Sequence, residues 1–488
     1  MSIVLRNARI VGAGAPPTDL LVSDGSISAI GGELSGDESV DLGGRFVIPG
    51  LWDNHVHLTQ HALAQRRVDL STATSAAEAA RVMGEAFRTA PPEAGLPLVG
   101  FGFRDGLWPD APSAALLDSQ VDTVPVVLVS GDLHCCWLNS AALGRFGYAG
   151  RSTGILREDE AFPVTAALQD VPDAVLDAWV SEAARAAAGR GVVGVVDFEM
   201  ADNIPVWGRR FAAGFDSLRI SAGVYTEHLE AAIAAGRFTG EVIAGTGGLL
   251  TMGPFKVLID GSLNTRTAYC AHVYPGLEHS DRPNGILTVP GDELTDLMMR
   301  ASGAGLLPAV HAIGDEANRI ALDAFQAVGC RGRIEHAQLL LDADLPRFAA
   351  LGVAASVQPE QAMDDRGVAD RYWAGRTGRA FVLRSLLDAG AQLLLGSDAP
   401  VAPLDPWVTM AAAVGRSRDG LEPWHPEQAI SAAEALVAST NGRSRVAVGE
   451  DADLVVLDLD PLVAAPDALR RMPVAATMLA GSWTFSAL

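Results

Sequence analysis

Lys256 is the only lysine in a chain of 488 residues in which lysine and arginine together number 36. It lies in Gly253-Pro254-Phe255-Lys256-Val257-Leu258-Ile259-Asp260-Gly261, an apolar run that ends in a turn and reads as a buried strand. A chain this rich in arginine would use arginine wherever positive charge alone was needed. A buried lysine differs because desolvation lowers its pKa and frees a neutral amine, which a guanidinium does not provide. That amine can form a Schiff base, or it can take up carbon dioxide and become a carbamate, an anionic ligand with two oxygens. The remaining reading is a cation snorkelling from the sheet surface.

What else points into the same space decides between them. One strand-like run ends Asp53-Asn54-His55-Val56-His57. Residues i and i+2 of an extended chain face one side, so His55 and His57 can present two imidazoles to one ion. Further runs end in His311, in Glu335-His336 and in Gly396-Ser397-Asp398. Singly, each reads as a satisfied core histidine or a capping aspartate. Jointly, four of ten histidines, the lone lysine and an aspartate fall at one sheet edge. Nitrogen and carboxylate donors together suit zinc or a similar first-row divalent ion.

The elements that must position these residues alternate between apolar strands and Ala-rich helical stretches, the pattern of βα units and a parallel sheet. The strand candidates are Phe46 to Leu51, Val192 to Phe198, Leu218 to Val224, Phe255 to Ile259, Leu307 to Ala312, Arg333 to Glu335, Val353 to Val357 and Leu393 to Gly396. Eight strands make a (β/α)8 TIM barrel, whose chemistry sits at the carboxyl ends of the strands. Short alternating segments at both ends of the chain predict a small β-sandwich from residues 1–48 and 446–488, flanking a barrel over 49–445. Leu98 to Phe101 and Val126 to Val129 fall in a long gap, which assigns residues 62–185, approximately, to an insertion after the first barrel strand.

The formal charge of −23 and pI near 4.7 argue against a nucleic-acid or anionic membrane partner. A small-molecule substrate remains open, since a metal can dominate the local potential of an acidic protein. Cys135, Cys136, Cys270 and Cys330 suggest neither a disulfide framework nor a CxxC site, and a reducing cytoplasm is expected. No stretch reaches the ~18–20 apolar residues of a membrane span. An acidic, Ala-rich barrel can form a homodimer.

The ordered set Pro49-Gly50-Leu51-Trp52-Asp53-Asn54-His55-Val56-His57, Lys256, His311, His336 and Asp398 resembles the amidohydrolase superfamily of metal-dependent hydrolases. Within it, the chain is similar to amidohydrolase family 3, the YtcJ-like group. The matching stretches are Asp260-Gly261-Ser262-Leu263-Asn264-Thr265-Arg266-Thr267-Ala268, His311-Ala312-Ile313-Gly314-Asp315, His134-Cys135-Cys136-Trp137-Leu138-Asn139-Ser140 and Gly449 to Asp458. Relatives more often carry a small residue where Cys135 stands.

The resemblance implies a two-ion centre, expected to hold zinc. His55 and His57 would bind the more buried ion, and His311 and His336 the more exposed one. Lys256, as N6-carboxylysine, would bridge them. Asp398 would ligate the buried ion and shuttle the proton of a bridging hydroxide, because ion binding lowers the pKa of water to about 7. Asp53 and Glu335 are candidate partners of the ligands, although strand alternation aims Glu335 away from His336. Arg266 is expected to hold a substrate carboxylate or carbonyl, or else to pair with Asp260. His134 and Trp137 are expected to reach the substrate from the insertion, and Trp52, Phe103, Trp108 and Trp407 to form an apolar pocket.

The reading that follows is hydrolysis of a non-peptide C–N bond, in an N-acyl or N-formyl amine or a cyclic amide. A mononuclear deaminase of a nucleobase-like ring is the alternative, and Lys256 has no role in it. A non-catalytic relative would lack several ligands, whereas all six positions are filled here. A Schiff-base lyase leaves the four histidines and Asp398 unexplained.

Overall fold

The computed structural model describes residues 2–14, 16–92, 95–168 and 171–488. Eight parallel strands form the central sheet: β1 (Leu51–Val56), β2 (Val192–Asp197), β3 (Arg219–Tyr225), β4 (Leu250–Leu258), β5 (Pro308–Ala312), β6 (Gly332–His336), β7 (Val353–Val357) and β8 (Leu393–Leu395). Each pairs with the next in sequence. The sheet closes where Val56 bridges Ala399, with Asp398 N donating to His55 O at 2.7 Å and His57 N to Ala399 O at 2.8 Å. Closure therefore sets the HxH segment directly beside Asp398.

Strands such as β2 and β7 are buried along their whole length, as expected when helices cover a parallel sheet. Helix Gly291–Gly303 buries Leu294, Leu297, Met298 and Ala301 against the barrel wall. Helix Leu345–Leu351 ends at Gly352, whose φ of +66° lets the chain turn straight into β7.

The first strand differs from its expected span. Phe46–Pro49 pairs antiparallel with Leu454–Leu457 in the sheet built from the chain ends, and the barrel strand starts only at Leu51. Gly50 is the joint: a Cβ there would come 2.4 Å from Val193, so the barrel can approach this closely only past a glycine. Strands from both ends of the chain make one eight-stranded sheet around Leu5, Leu20, Ile27, Val47, Leu454, Val456 and Met478.

Leu98–Phe103 and Val126–Ser130 are not barrel strands. They belong to a separate five-stranded sheet with Val68–Asp69, Cys135–Leu138 and Ile155–Arg157, which has its own core of Leu70, Met83, Leu98, Phe103, Leu128 and Trp137. The expected insertion, 62–185, ends inside helix Asp173–Ala188. That helix buries Val180, Ala183, Ala184 and Ala187 against β2 and so belongs to the barrel. Glu93, Ala94, Gln169 and Asp170, within that span, lie outside the described residues. No disulfide joins the four cysteines. Among the described residues no helix is long and apolar enough to cross a membrane.

Candidate metal centre

The carboxyl ends of the strands open into a cavity of about 430 Å³ lined by His55, His57, Lys256, His311, His336 and Asp398 together. At its base Lys256 Nζ lies 3.2 Å from His55 Nε2, and Asp398 Oδ1 lies 3.4 Å from both His55 Nε2 and His57 Nε2. Ligand atoms of His55, His336 and Asp398 lie within 4.8 Å of one another. The His311 and His336 ring centroids are 4.3 Å apart, and those of His55 and His336 5.0 Å.

Two of these residues leave regular strand geometry to get there. His336 has φ +73° and Asp398 φ +59°, the left-handed region that non-glycine residues seldom occupy. Such strain persists where the surroundings over-determine it, and it concentrates at functional sites. Asp398 Oδ2 accepts from Gln361 Nε2 at 2.9 Å, which fixes the carboxylate and leaves Oδ1 toward the imidazoles.

Burial drives the electrostatics. It lowers the Lys256 amine to about 8, with the nearby Glu335 and Asp398 carboxylates opposing it. The ammonium site lies 4.4 Å from the Phe198 ring centroid. Burial lowers His55 to about 4 and holds His311 and His336 well below the usual imidazole value. Neutral imidazole is the form that ligates metal. Burial alone would raise Asp398, but His55, the hydrogen bond from His57, and His336 hold it far below the carboxylate range.

Strand alternation aims Glu335 away from His336, which favours a role outside the site. Instead its Oε2 lies 2.7 Å from His55 Nδ1, while Oε1 accepts from Arg333 Nε. Burial raises Glu335, but Arg333 and then His55 hold it well below its ordinary value. It is therefore an anion that fixes His55 with Nδ1 as the donor and Nε2 free to ligate. Asp53 does not touch a ring; it accepts the Ser397 N–H at 2.9 Å and the His55 N–H at 3.2 Å, bracing the loop.

The donor set fits divalent ions: neutral nitrogens, one ionised carboxylate and a desolvated amine that can become anionic. His57 Nδ1 and His336 Nδ1 are buried with no hydrogen-bond partner among the described residues, so both rings hold unused capacity at the cavity. His311 spends Nε2 on contacts of 3.4 Å to Gly261 O and Asp260 Oδ1. Asp260 itself is fixed by the N–H groups of Gly314 at 2.8 Å and of Tyr269 and Ile313 at 3.0 Å.

His134 does reach the cavity from the insertion, its ring centroid 5.9 Å from that of His311. Its Nδ1 lies 2.7 Å from Glu158 Oε2, and Glu158 Oε1 accepts from Thr267 Oγ1 at 2.6 Å. Burial opposes the charge, yet Glu158 and Asp132 raise His134 to about 9.

Three expected substrate contacts lie elsewhere. Arg266 is absent from the cavity wall and does not pair with Asp260; its guanidinium stacks 5.2 Å from the Tyr372 ring centroid. Trp137 is fully buried in the insertion core against Phe103 and Trp108, its Nε1 donating to Ser113 O at 3.0 Å. Trp52 points to the opposite end of the barrel, where a Cβ on Gly194 would meet its indole at 2.5 Å. Trp407 is a core residue whose Nε1 donates to Arg190 O. The sequence reading missed Gln361, Phe198 and the anionic role of Glu335. Only Glu335 carried a signal, its place beside His336.

A family model described as "Amidohydrolase family" matches residues 38–485. The chain is 27% identical to the putative amidohydrolase YtcJ of Bacillus subtilis, over 91% of this chain and 90% of that protein. It is 28% identical to N-substituted formamide deformylase of Arthrobacter pascens, over 99% and 97%. A crystal structure of an uncharacterized metal-dependent hydrolase from Pyrococcus horikoshii superposes with a TM-score of 0.77 at 27% identity, covering 96% of this chain and 99% of that one. With a closed barrel, six candidate ligands lining one cavity and a match along nearly its whole length, the chain belongs to the amidohydrolase family.

Proposed function

We propose that the protein hydrolyses a non-peptide C–N bond, in an N-formyl or N-acyl amine or a cyclic amide, with two divalent ions held by His55, His57, carboxylated Lys256, His311, His336 and Asp398. The observation that carries this reading is the convergence on His55 Nε2 of Lys256 Nζ at 3.2 Å and Asp398 Oδ1 at 3.4 Å. The likeness to a formamide deformylase along almost the full chain supports the substrate class.

Lys256 is prepared for carboxylation by burial: the neutral amine attacks carbon dioxide, an N–C bond forms, and a proton leaves to solvent. The product is an anion able to bridge two cations. Ions bound there supply Lewis acidity for the scissile carbonyl and acidify water. Asp398, held ionised by the neighbouring histidines and oriented by Gln361, takes the proton of the attacking water and returns it to the leaving nitrogen, so that amide and water become acid and amine. Glu335 holds the His55 tautomer. His134, kept cationic by Glu158, binds the polar end of the substrate from the facing wall.

The test is turnover of N-substituted formamides, N-acyl amines and cyclic amides by protein loaded with zinc and bicarbonate. Release of formate or another acid with the matching amine is expected, and it should disappear on chelation. Ammonia release from aminated rings, with every amide inert, would replace this reading with deamination.

A further inference from the structure

The interior of a (β/α)8 barrel is ordinarily filled by layers of side chains. Here the amino-terminal end of the barrel instead holds a cavity of about 670 Å³. Its wall includes Arg219, Arg331 and Arg333, the hydroxyls of Ser221 and Thr251, and Asn54. Among the described residues the wall contains no carboxylate, in a chain with 59 acidic and 36 basic residues. This is the reverse of what the composition would place there by chance.

The three guanidiniums are not equivalent. Arg219 is already paired, with Asp453 at 2.6 Å and Asp451 at 3.1 Å. Arg333 is only 9% exposed; its Nε serves Glu335, and its Nη2 serves Asn54 O and Ser356 Oγ. Nη1 makes no hydrogen bond among the described residues. Arg331, just before the strand, lines the same cavity, is exposed and forms no ion pair among the described residues. A largely buried guanidinium with Nη1 left over, an exposed unpaired arginine and two hydroxyls on one cavity wall make an arrangement that receives an oxyanion.

We propose that this second cavity is a binding site for a small oxyanion, a carboxylate or a phosphate, held between Arg331 and Arg333. The site lies at the other end of the barrel from the metal ligands, and its anion binding does not rest on the reaction proposed above. Arg333 connects the two, because the same guanidinium that would meet the anion also holds Glu335, which holds His55.

The experiment is calorimetric titration of the metal-loaded protein with inorganic phosphate and, separately, with malonate, in wild type, Arg331→Glu and Arg331→Lys. Arg331 is exposed, so these variants should fold and keep the wild-type metal content. The expected result is saturable binding that weakens at least tenfold in Arg331→Glu and stays within about threefold in Arg331→Lys. The tighter probe distinguishes a phosphorylated ligand from a carboxylate. No binding of either probe, or equal affinity in wild type and Arg331→Glu, overturns the proposal; in the latter case the anion is sitting on the metal ions.

Discussion

Changing Glu335 to glutamine keeps side-chain volume and removes one acceptor oxygen and the charge. In the native site two donors share the carboxylate, His55 Nδ1 at 2.7 Å and Arg333 Nε. A single amide oxygen can serve only one of them, and the amide N–H₂ would face a donor. If His55 loses its anchor, metal affinity should fall by about 10–100-fold, the usual cost of losing a partner that orients a ligating histidine. That range corresponds to roughly 1.4–2.8 kcal/mol of binding free energy. The fold should also lose stability, since breaking a buried ion pair costs about 3–5 kcal/mol. The lower figure applies here, because Arg333 keeps its bonds to Asn54 O and Ser356 Oγ. The assays are chelator competition for zinc and chemical denaturation of the metal-free protein. A variant that loses stability but binds zinc within twofold of wild type would refute the argument and leave Glu335 as a structural partner of Arg333 alone.

Lys256→Arg should retain the fold but lose carboxylation, the second equivalent of metal and measurable turnover; full activity would remove the bridge. Asp398→Asn should keep at least one metal ion and lose about 10²–10⁴ in kcat, and a loss of only a few-fold would remove its shuttle role. Reactivation of metal-free enzyme by bicarbonate and zinc should accelerate with pH. With Lys256 at about 8, the reactive neutral amine is the minor form below that pH and the major form above it. At fixed dissolved carbon dioxide, the rate at about pH 8.5 should exceed that at about pH 6.5 by roughly 25-fold. A flat profile would mean that the amine is already neutral or is not the group modified.

The six candidate ligands were legible because their side-chain types are costly at buried strand ends unless they have partners or a use. Lys256 stood out further through its uniqueness in the composition. What could not be read was orientation. Alternation aims Glu335 away from His336 and toward the face it shares with Arg333, but the ring it serves is that of His55 across the barrel, a contact no local pattern carries. Trp52 sits one residue before Asp53, yet it faces the far end of the barrel, a distinction set by closure rather than by local pattern. Trp137 looked available for substrate until the insertion supplied a separate sheet and core to bury it. Arg266 was separated from Asp260 by backbone N–H groups that claimed the carboxylate first. The first barrel strand was misplaced because Phe46–Pro49 and Leu51–Val56 are both apolar, and only Gly50 marks the change of sheet.

The claim beneath all of this is that Lys256 becomes an anionic bridge between two ions. Carbon-13 NMR of protein reconstituted with labelled bicarbonate and zinc, with metal analysis of the same sample, tests it directly. One labelled carbamate carbon and two zinc ions per chain are expected, both depending on Lys256. An unmodified lysine beside a single tightly held ion would contradict it.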